Sequence, residues 1–360
     1  MINVLHVLST LDQGGTEAVV LNYVNNIQSN DISFEFLIVY NEHEGYYEKM
    51  LISRGFKIHK LKNPPQKYFK HFQELKNFFS THKYDIVHIH SMSSLRYVIA
   101  KAAKKAGIKK VIFHSHTSDK GNHKILHALA RGRIAKWCDY KFACSNAAGK
   151  FMYKKNFYLI HNAIDVENFA FDKYARFELR KKYGIAENKI VVGSIGRLET
   201  VKNHAFLIDL LSQSGDLNLV VFIIGKGTQY EVLQQLAYQK RVHDKLICID
   251  PVGNYVNKYY SMFDIFAMPS MYEGLSVAMV EAQANGLPVI ASDKISTENK
   301  LAPNVVYLPI NENFQSFELW LKNIKLMFAD RRDNQECIKA AGYDIKTEAK
   351  KLAYFYLHCI

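Results

Sequence analysis

Ile265-Phe266-Ala267-Met268-Pro269-Ser270-Met271-Tyr272-Glu273-Gly274-Leu275-Ser276-Val277-Ala278-Met279-Val280-Glu281-Ala282-Gln283-Ala284-Asn285-Gly286-Leu287-Pro288-Val289-Ile290 is the stretch that decides the fold. Ile265–Met268 reads as a short strand that ends in a loop. A helix starts near Ser276 and stops at Gly286, and Pro288 leads into the next strand. Strand, helix and strand in so few residues form the repeating element of a parallel sheet.

The alternation continues on both sides. Upstream, strands are expected at Ile190–Ile195, Leu219–Ile224 and Leu246–Ile249. Downstream, one is expected at Val305–Leu308. Helices are expected near Ala205–Leu211, Gln229–Gln239, Gln315–Phe328 and Asn334–Ala341. The first half shows a second alternation. Its expected strands are Asn3–Leu8, Ser33–Val39, Ile86–His90, Lys110–Phe113, Tyr140–Ala143 and Tyr158–Ile160. Its helical patterns lie near Thr16–Ile27, His71–Phe79, Ser94–Ala106 and Lys124–Lys136. Residues 162–188 between the halves are polar and read as irregular. The fold class is therefore α/β, two doubly wound units in tandem. Ligands of such sheets bind beyond the carboxyl ends of the strands, so two facing units would share one cleft.

A chain of 360 residues, 48% hydrophobic, exceeds one ordinary core. Its five cysteines lie far apart without metal-ligand spacing and are expected to be reduced structural thiols. The first residues carry no basic segment of a signal peptide, and no apolar run approaches the ~20 residues that span a bilayer. The net charge is +13, and it is uneven. Residues 1–165 carry 24 basic and 12 acidic side chains; residues 51–160 alone carry 23 and 4. An anionic partner for the first half follows from that bias. Nucleic acid is not the expected one, because no recognition motif accompanies the charge. Lys57, Lys60, Lys62, Lys67, Lys70 and Lys76 are interleaved with Tyr68, Phe69, Phe72, Phe78 and Phe79, and Lys101, Lys104, Lys105, Lys109 and Lys110 follow. Such a stretch suits an anionic membrane surface.

Several loops carry candidate chemistry. Gly14-Gly15 after the first strand lets a backbone approach a ligand at a helix start, although a plain turn reads the same way. Arg197 and Lys202 lie between a strand end and a helix start, where two cations suit a diphosphate. Gly274, Leu275 and Ser276 can point N–H groups at phosphate. Glu273 lies in the loop, and Glu281 about 8 Å further along the helix. His88 and His90, like His114 and His116, are expected to face opposite ways along their strand ends. His116 is the one expected beside a substrate.

These segments resemble the retaining glycosyltransferases of the GT-B fold, family 4. Glu273-x7-Glu281, preceded by Pro269-Ser270 and followed by Gly286-Leu287-Pro288-Val289, is similar to the family signature. So are Gly14-Gly15, Tyr84-Asp85-Ile86-Val87-His88-Ile89-His90, His114-Ser115-His116-Thr117, and Gly196-Arg197-Leu198 with Lys202. Asn162-Ala163-Ile164-Asp165 departs from the pattern at Ala163, and Gly225-Lys226-Gly227-Thr228 at Thr228, where glycine and proline are usual.

The resemblance implies two Rossmann-like domains facing a central cleft. Residues 1–168 would hold the acceptor and 169–343 the nucleotide-sugar, with helix 344–360 packing back on the first. It implies His116, Glu273, Arg197 and Lys202 as catalytic residues. It implies that Arg197 and Lys202 bind the diphosphate, and that Glu273 with the amides of Gly274, Leu275 and Ser276 contacts sugar and phosphates. Glu281 would hold the ribose, and Val252, Gly253 and Asn254 would touch the base. Gly14 and Gly15 complete the nucleotide-sugar site. No metal cofactor is implied, and the sequence contains no Asp-x-Asp.

The implied reaction is transfer of a hexose or N-acetylhexosamine from a nucleotide-sugar, UDP being the commonest family nucleotide, to a lipid-linked saccharide in capsule or exopolysaccharide assembly. It would take place in the cytoplasm on the inner face of the membrane. A nucleotide-sugar epimerase of the same fold, or a non-catalytic nucleotide-sugar-binding partner, are the alternatives. The resemblance leaves the oligomeric state open.

Overall fold

The computed structural model describes residues 1–12, 14–39, 43–117 and 124–360, and the chain divides into two units. Unit 1 comprises Met1–Ala163 with Ile345–Ile360; unit 2 is Ile164–Asp344.

Unit 1 is built on β1 (Ile2–Leu8), β2 (Ile32–Ile38), β3 (Lys57–Lys60), β4 (Ile86–Ser91), β5 (Lys110–Ser115), β6 (Tyr140–Ala143) and β7 (Tyr158–Leu159). Their order is β3-β2-β1-β4-β5-β6-β7, parallel throughout. Val4, Leu5, Val7 and Leu8 of β1 are all buried, as a strand covered on both faces requires. One apolar layer joins Leu5 and Val87 to Leu75, Phe79, Ile99 and Ile134 of three helices. The other face receives Val20, Leu21 and Val24 of helix Gly15–Asn26. The final helix, Ile345–His358, also belongs to unit 1 and packs against helix Gly15–Asn26.

Unit 2 holds β8 (Ile190–Ile195), β9 (Leu219–Ile224), β10 (Leu246–Ile249), β11 (Ile265–Met268), β12 (Val289–Ser292) and β13 (Val305–Leu308), ordered β10-β9-β8-β11-β12-β13 and parallel. Strand order reverses beside β1 in unit 1 and beside β8 in unit 2. Loops diverge at such points and leave a crevice at the carboxyl edge.

Two expectations need correction. Residues 162–188 are not irregular throughout, because a helix runs from Lys173 to Lys182. The Asp172 carboxylate caps it, accepting from the N–H groups of Tyr174 and Ala175 at 2.9 and 3.0 Å. Its inner face carries Arg180 beside a thin apolar row of Ala175 and Leu179. Arg176 and Arg180 each bond Asp264 at 2.6 Å, so much of the anchor is ionic and the hydrophobic period is weak. Strand β3 was also not expected. It is a polar edge strand, whose Lys57 and Lys60 pair with Glu35 and Glu48 at 3.3 and 2.7 Å.

Glycine is required where loops touch. A Cβ on Gly225 would lie 1.9 Å from the Gly196 carbonyl oxygen, so the turn after β9 rests directly on the loop after β8. Gly286 has φ +82°, and a Cβ there would lie 2.0 Å from the Arg332 carbonyl oxygen.

Candidate functional site

In unit 2 the loops after β8 and β11 flank the reversal point. Met271 N–H donates to the Val201 carbonyl at 2.8 Å and ties the two loops together. Lys202 closes the short turn Thr200–Lys202, and its ammonium is ion-paired with the Glu273 carboxylate. Both side chains are largely buried, at 17% and 20% exposure. Their attraction is therefore less screened than a surface pair's. The expected cation and carboxylate are thus brought together where the two loops meet.

Arg197 lies in the same loop as Lys202, exposed and with no ion partner among the described residues. Gly274 and Leu275 are half-buried and lead into helix Val277–Ala284, for which Ser276 is the N-cap residue. The Ser276 hydroxyl makes no capping bond, so the first N–H groups are not satisfied by it. Glu281 lies in the second turn and accepts a hydrogen bond from the Tyr260 hydroxyl at 2.7 Å. Burial pushes its carboxyl pKa up to about 7, against the Tyr260 bond, which favours ionisation. Val252, Gly253 and Asn254 follow β10 two strands away, with Val252 half-buried on the core, and Gly253 and Asn254 exposed.

In unit 1 the glycine loop differs from a ready phosphate cradle. Gly14 is the N-cap of helix Gly15–Asn26, and a Cβ on it would meet the Glu17 carboxylate at 2.1 Å. Glu17 folds back over the loop and accepts from the Thr10 hydroxyl at 3.2 Å. The helix start already has an acid beside it.

The histidines correct the expected geometry. His88 and His90 do not face opposite ways: their rings stack at 4.2 Å, and those of His114 and His116 also lie 4.2 Å apart. Residues two apart in a strand share a face, and only neighbours alternate. With His6, paired in register to His88, five imidazoles line one face of β1, β4 and β5. His6 Nδ1 lies 2.9 Å from His90 Nε2, and His90 Nδ1 lies 3.1 Å from His116 Nε2. The Tyr356 hydroxyl is 2.6 Å from His88 Nδ1, and His88 Nε2 is 3.3 Å from His114 Nδ1. Burial pulls His6 and His116 down to about 3. His88, His90 and His114 are held well below the ordinary range by burial and by neighbouring imidazoles. His6, His88 and His90, or His90, His114 and His116, each bring three ring nitrogens within 4.8 Å, which is a donor set of the kind that holds a transition metal.

The basic aromatic stretch divides. Phe79 is buried and Phe72 and Phe78 pack on the unit 1 core, whereas Tyr68 and Phe69 are exposed beside exposed Lys67 and Lys70. Lys104 pairs with Asp139 and Lys109 with Asp85. Among the described residues no helix is long and apolar enough to cross a membrane.

Comparison with known proteins agrees with these loops. The family profile described as Glycosyl transferases group 1 matches residues 175–342, and that of Glycosyltransferase Family 4 matches residues 13–168. The chain belongs to the family 4 glycosyltransferases. A Bacillus subtilis (strain 168) protein named as glycosyltransferase EpsF is 28% identical over 377 residues, covering 98% of this chain and 96% of its own. The Escherichia coli UDP-Gal:alpha-D-GlcNAc-diphosphoundecaprenol alpha-1,3-galactosyltransferase is 29% identical over 242 residues, 62% of this chain and 61% of that protein. The crystal structure of Anabaena Alr3699/HepE in complex with UDP superposes with a TM-score of 0.83 at 17% identity, covering 100% of both chains. The fold is therefore GT-B, and the chain is a glycosyltransferase.

Sequence reasoning missed His6, Tyr260, Tyr356 and Glu17. Each acts on a candidate residue through a side-chain contact that no local motif marks. Tyr356 is 268 positions from its partner His88.

Proposed function

We propose that this glycosyltransferase moves a hexosyl or N-acetylhexosaminyl group, with retention, from a UDP-sugar to a lipid-linked saccharide during capsule or exopolysaccharide assembly. The observation that carries the reading is the Lys202–Glu273 pair at the reversal point, beside the start of helix Val277–Ala284 and with Glu281 in its second turn. The Escherichia coli relative's name includes UDP-Gal and a diphosphoundecaprenol acceptor, and the Anabaena neighbour was crystallised with UDP. Both support the donor class, and the Escherichia coli relative alone supports the acceptor class.

Cleavage of the sugar–diphosphate bond leaves a cationic anomeric carbon and a diphosphate leaving group. Arg197, Lys202 and the N–H groups of Gly274, Leu275 and Ser276 stabilise that group, with no metal required. Diphosphate then competes with Glu273 for the Lys202 ammonium, which frees the carboxylate to accept from sugar hydroxyls. Glu281 holds the ribose hydroxyls, Val252, Gly253 and Asn254 border the base, and His116 with Gly14 and Gly15 lies towards the sugar. Retention follows from attack on the leaving-group face, with the departing phosphate taking the acceptor proton. Exposed Tyr68, Phe69, Lys67 and Lys70 dock unit 1 on the anionic cytoplasmic leaflet.

Incubation with UDP-sugars and a diphosphoundecaprenol-linked saccharide tests the reading. A product of unchanged anomeric configuration, lost in Glu273→Ala, is expected. Donor turnover without acceptor would instead favour an epimerase. Full transfer by Glu273→Ala would favour a non-catalytic binding partner. A trapped sugar–enzyme adduct would overturn same-face attack. Flotation with anionic liposomes tests docking, and no binding at low salt would remove it.

A further inference from the structure

The five imidazoles of unit 1 form two hydrogen-bonded strings. A neutral imidazole has one N–H and one lone pair, so each string must have a direction. In the first, His6 and His116 are the ends, and neither His6 Nε2 nor His116 Nδ1 has a hydrogen-bond partner. One end must therefore carry an N–H and the other a lone pair. His6 is 2% exposed and its ring lies against Phe34 and Phe36. His116 is half-buried as a residue and sits at the carboxyl edge where β5 ends, although its Nδ1 is itself covered, as His6 Nε2 is. An N–H that stays orphaned is the costlier thing to leave in an apolar interior, so the lone pair belongs at His6, among phenylalanines, and the N–H at His116, on the edge where a ligand's acceptor can arrive.

We infer that each Nδ1–H of His6, His90 and His116 donates outward along the string, and that His116 offers its Nδ1–H to an oxygen acceptor of the nucleotide-sugar. His90 is then a positioning residue, because its Nδ1–H bonds His116 Nε2 at 3.1 Å and so fixes both the tautomer and the ring plane. The contact with the sugar rests on the placement of His116 proposed above; the direction of the string does not.

The second string runs through the opposite nitrogens. The Tyr356 hydroxyl is buried and meets His88 Nδ1 at 2.6 Å, with no other acceptor for its proton among the described residues. It donates to His88. His88 then donates through Nε2 to His114 Nδ1. The remaining Nε2–H is on His114, where that nitrogen is buried and has no hydrogen-bond partner. Three Nδ1–H rings should therefore lie beside two Nε2–H rings on one sheet face.

Nitrogen NMR of the full chain, labelled in its histidines and assigned through single variants, reads each tautomer directly. Nδ1–H is expected for His6, His90 and His116, and Nε2–H for His88 and His114. Nε2–H on His116 would overturn the proposal whether or not the chain transfers sugar. Retention of one equivalent of zinc after dialysis, lost in His90→Leu, would also overturn it, because nitrogens bound to a metal carry no proton.

His90→Leu and His90→Asn give a second arm, because an asparagine amide can replace the Nδ1–H donor and leucine cannot. His90→Leu should move His116 towards Nε2–H and lower kcat roughly tenfold, the usual cost of removing an orienting partner. His90→Asn should restore the tautomer and most of the rate, at an unchanged unfolding midpoint. Equal loss in both variants would overturn the positioning role. The expected tautomers in the unaltered chain, with full activity in both variants, would overturn the sugar contact while leaving the direction of the string in place.

Discussion

Units 1 and 2 share a strand order around their first strand but line their carboxyl edges with opposite chemistry. Unit 1 presents five imidazoles, all held neutral by burial, on the face of β1, β4 and β5. Unit 2 presents the Lys202–Glu273 ion pair and the half-titrating Glu281. One sheet edge is built to position neutral hydrogen-bonding groups, the other to exchange charges with a ligand. Topology selects where a site lies; the side chains at the strand ends decide what it can hold.

Acid separates the units most. An imidazole kept neutral in the fold binds its proton in the unfolded chain, so stability is complete above the unfolded pKa of about 6.5 and is lost as pH falls below it. At pH 5.5 a ring held as low as His6 or His116 costs about 1.4 kcal/mol, and His88, His90, His114 and His71 in the same unit add in the same direction. Glu281 has the opposite sign: its raised pKa costs unit 2 stability at pH 7.5, and the cost is relieved as pH falls towards about 4.5. His204, pulled down to about 4, offsets part of that gain. Proteolysis in urea at pH 7.5 and 5.5, with fragments located by mass spectrometry, should show unit 1 losing resistance first on acidification. The reverse order would break the comparison.

The charged edge is tested next. Lys202→Ala and Glu273→Ala should each lower transfer about 10³-fold, or ~4 kcal/mol. The double variant should lose little more than either alone, because the pair acts as a unit. Full additivity in steady-state kinetics would count against a shared role.

Gly225→Ala should cost about 3 kcal/mol, because its Cβ would collide with a backbone carbonyl that lacks a side chain's freedom to move. Thermal unfolding should show the drop in unit 2. Tyr356→Phe should cost about 1.5 kcal/mol by leaving His88 Nδ1 buried without a donor. A measurement by denaturant titration that left the midpoint unchanged would mean the hydroxyl is not part of the array.

Much of this contrast was legible in the sequence and some was not. The strands of unit 2 are short apolar runs set off by glycine and proline, and they lie where periodicity places them. Lys202 and Glu273 were identified by position relative to strand ends, yet their direct pairing was not, because it depends on the Met271–Val201 bond between two loops. Helix Lys173–Lys182 is hard to read locally because its apolar row is thin, Ala175 and Leu179, and its buried anchor is the Arg180–Asp264 pair. The histidine array differs from expectation for a simpler reason. His88 with His90, and His114 with His116, are not opposed, because a spacing of two puts each pair on one face. His6 then completes the array through register with β4, which a linear sequence does not display.

The return of residues 345–360 to unit 1 bears on how the chain matures. Unit 2 is one continuous segment and can close as soon as it leaves the ribosome. Unit 1 lacks its last helix, and His88 its Tyr356 partner, until more than 180 further residues have been synthesised. During that interval the half made first is the half finished last.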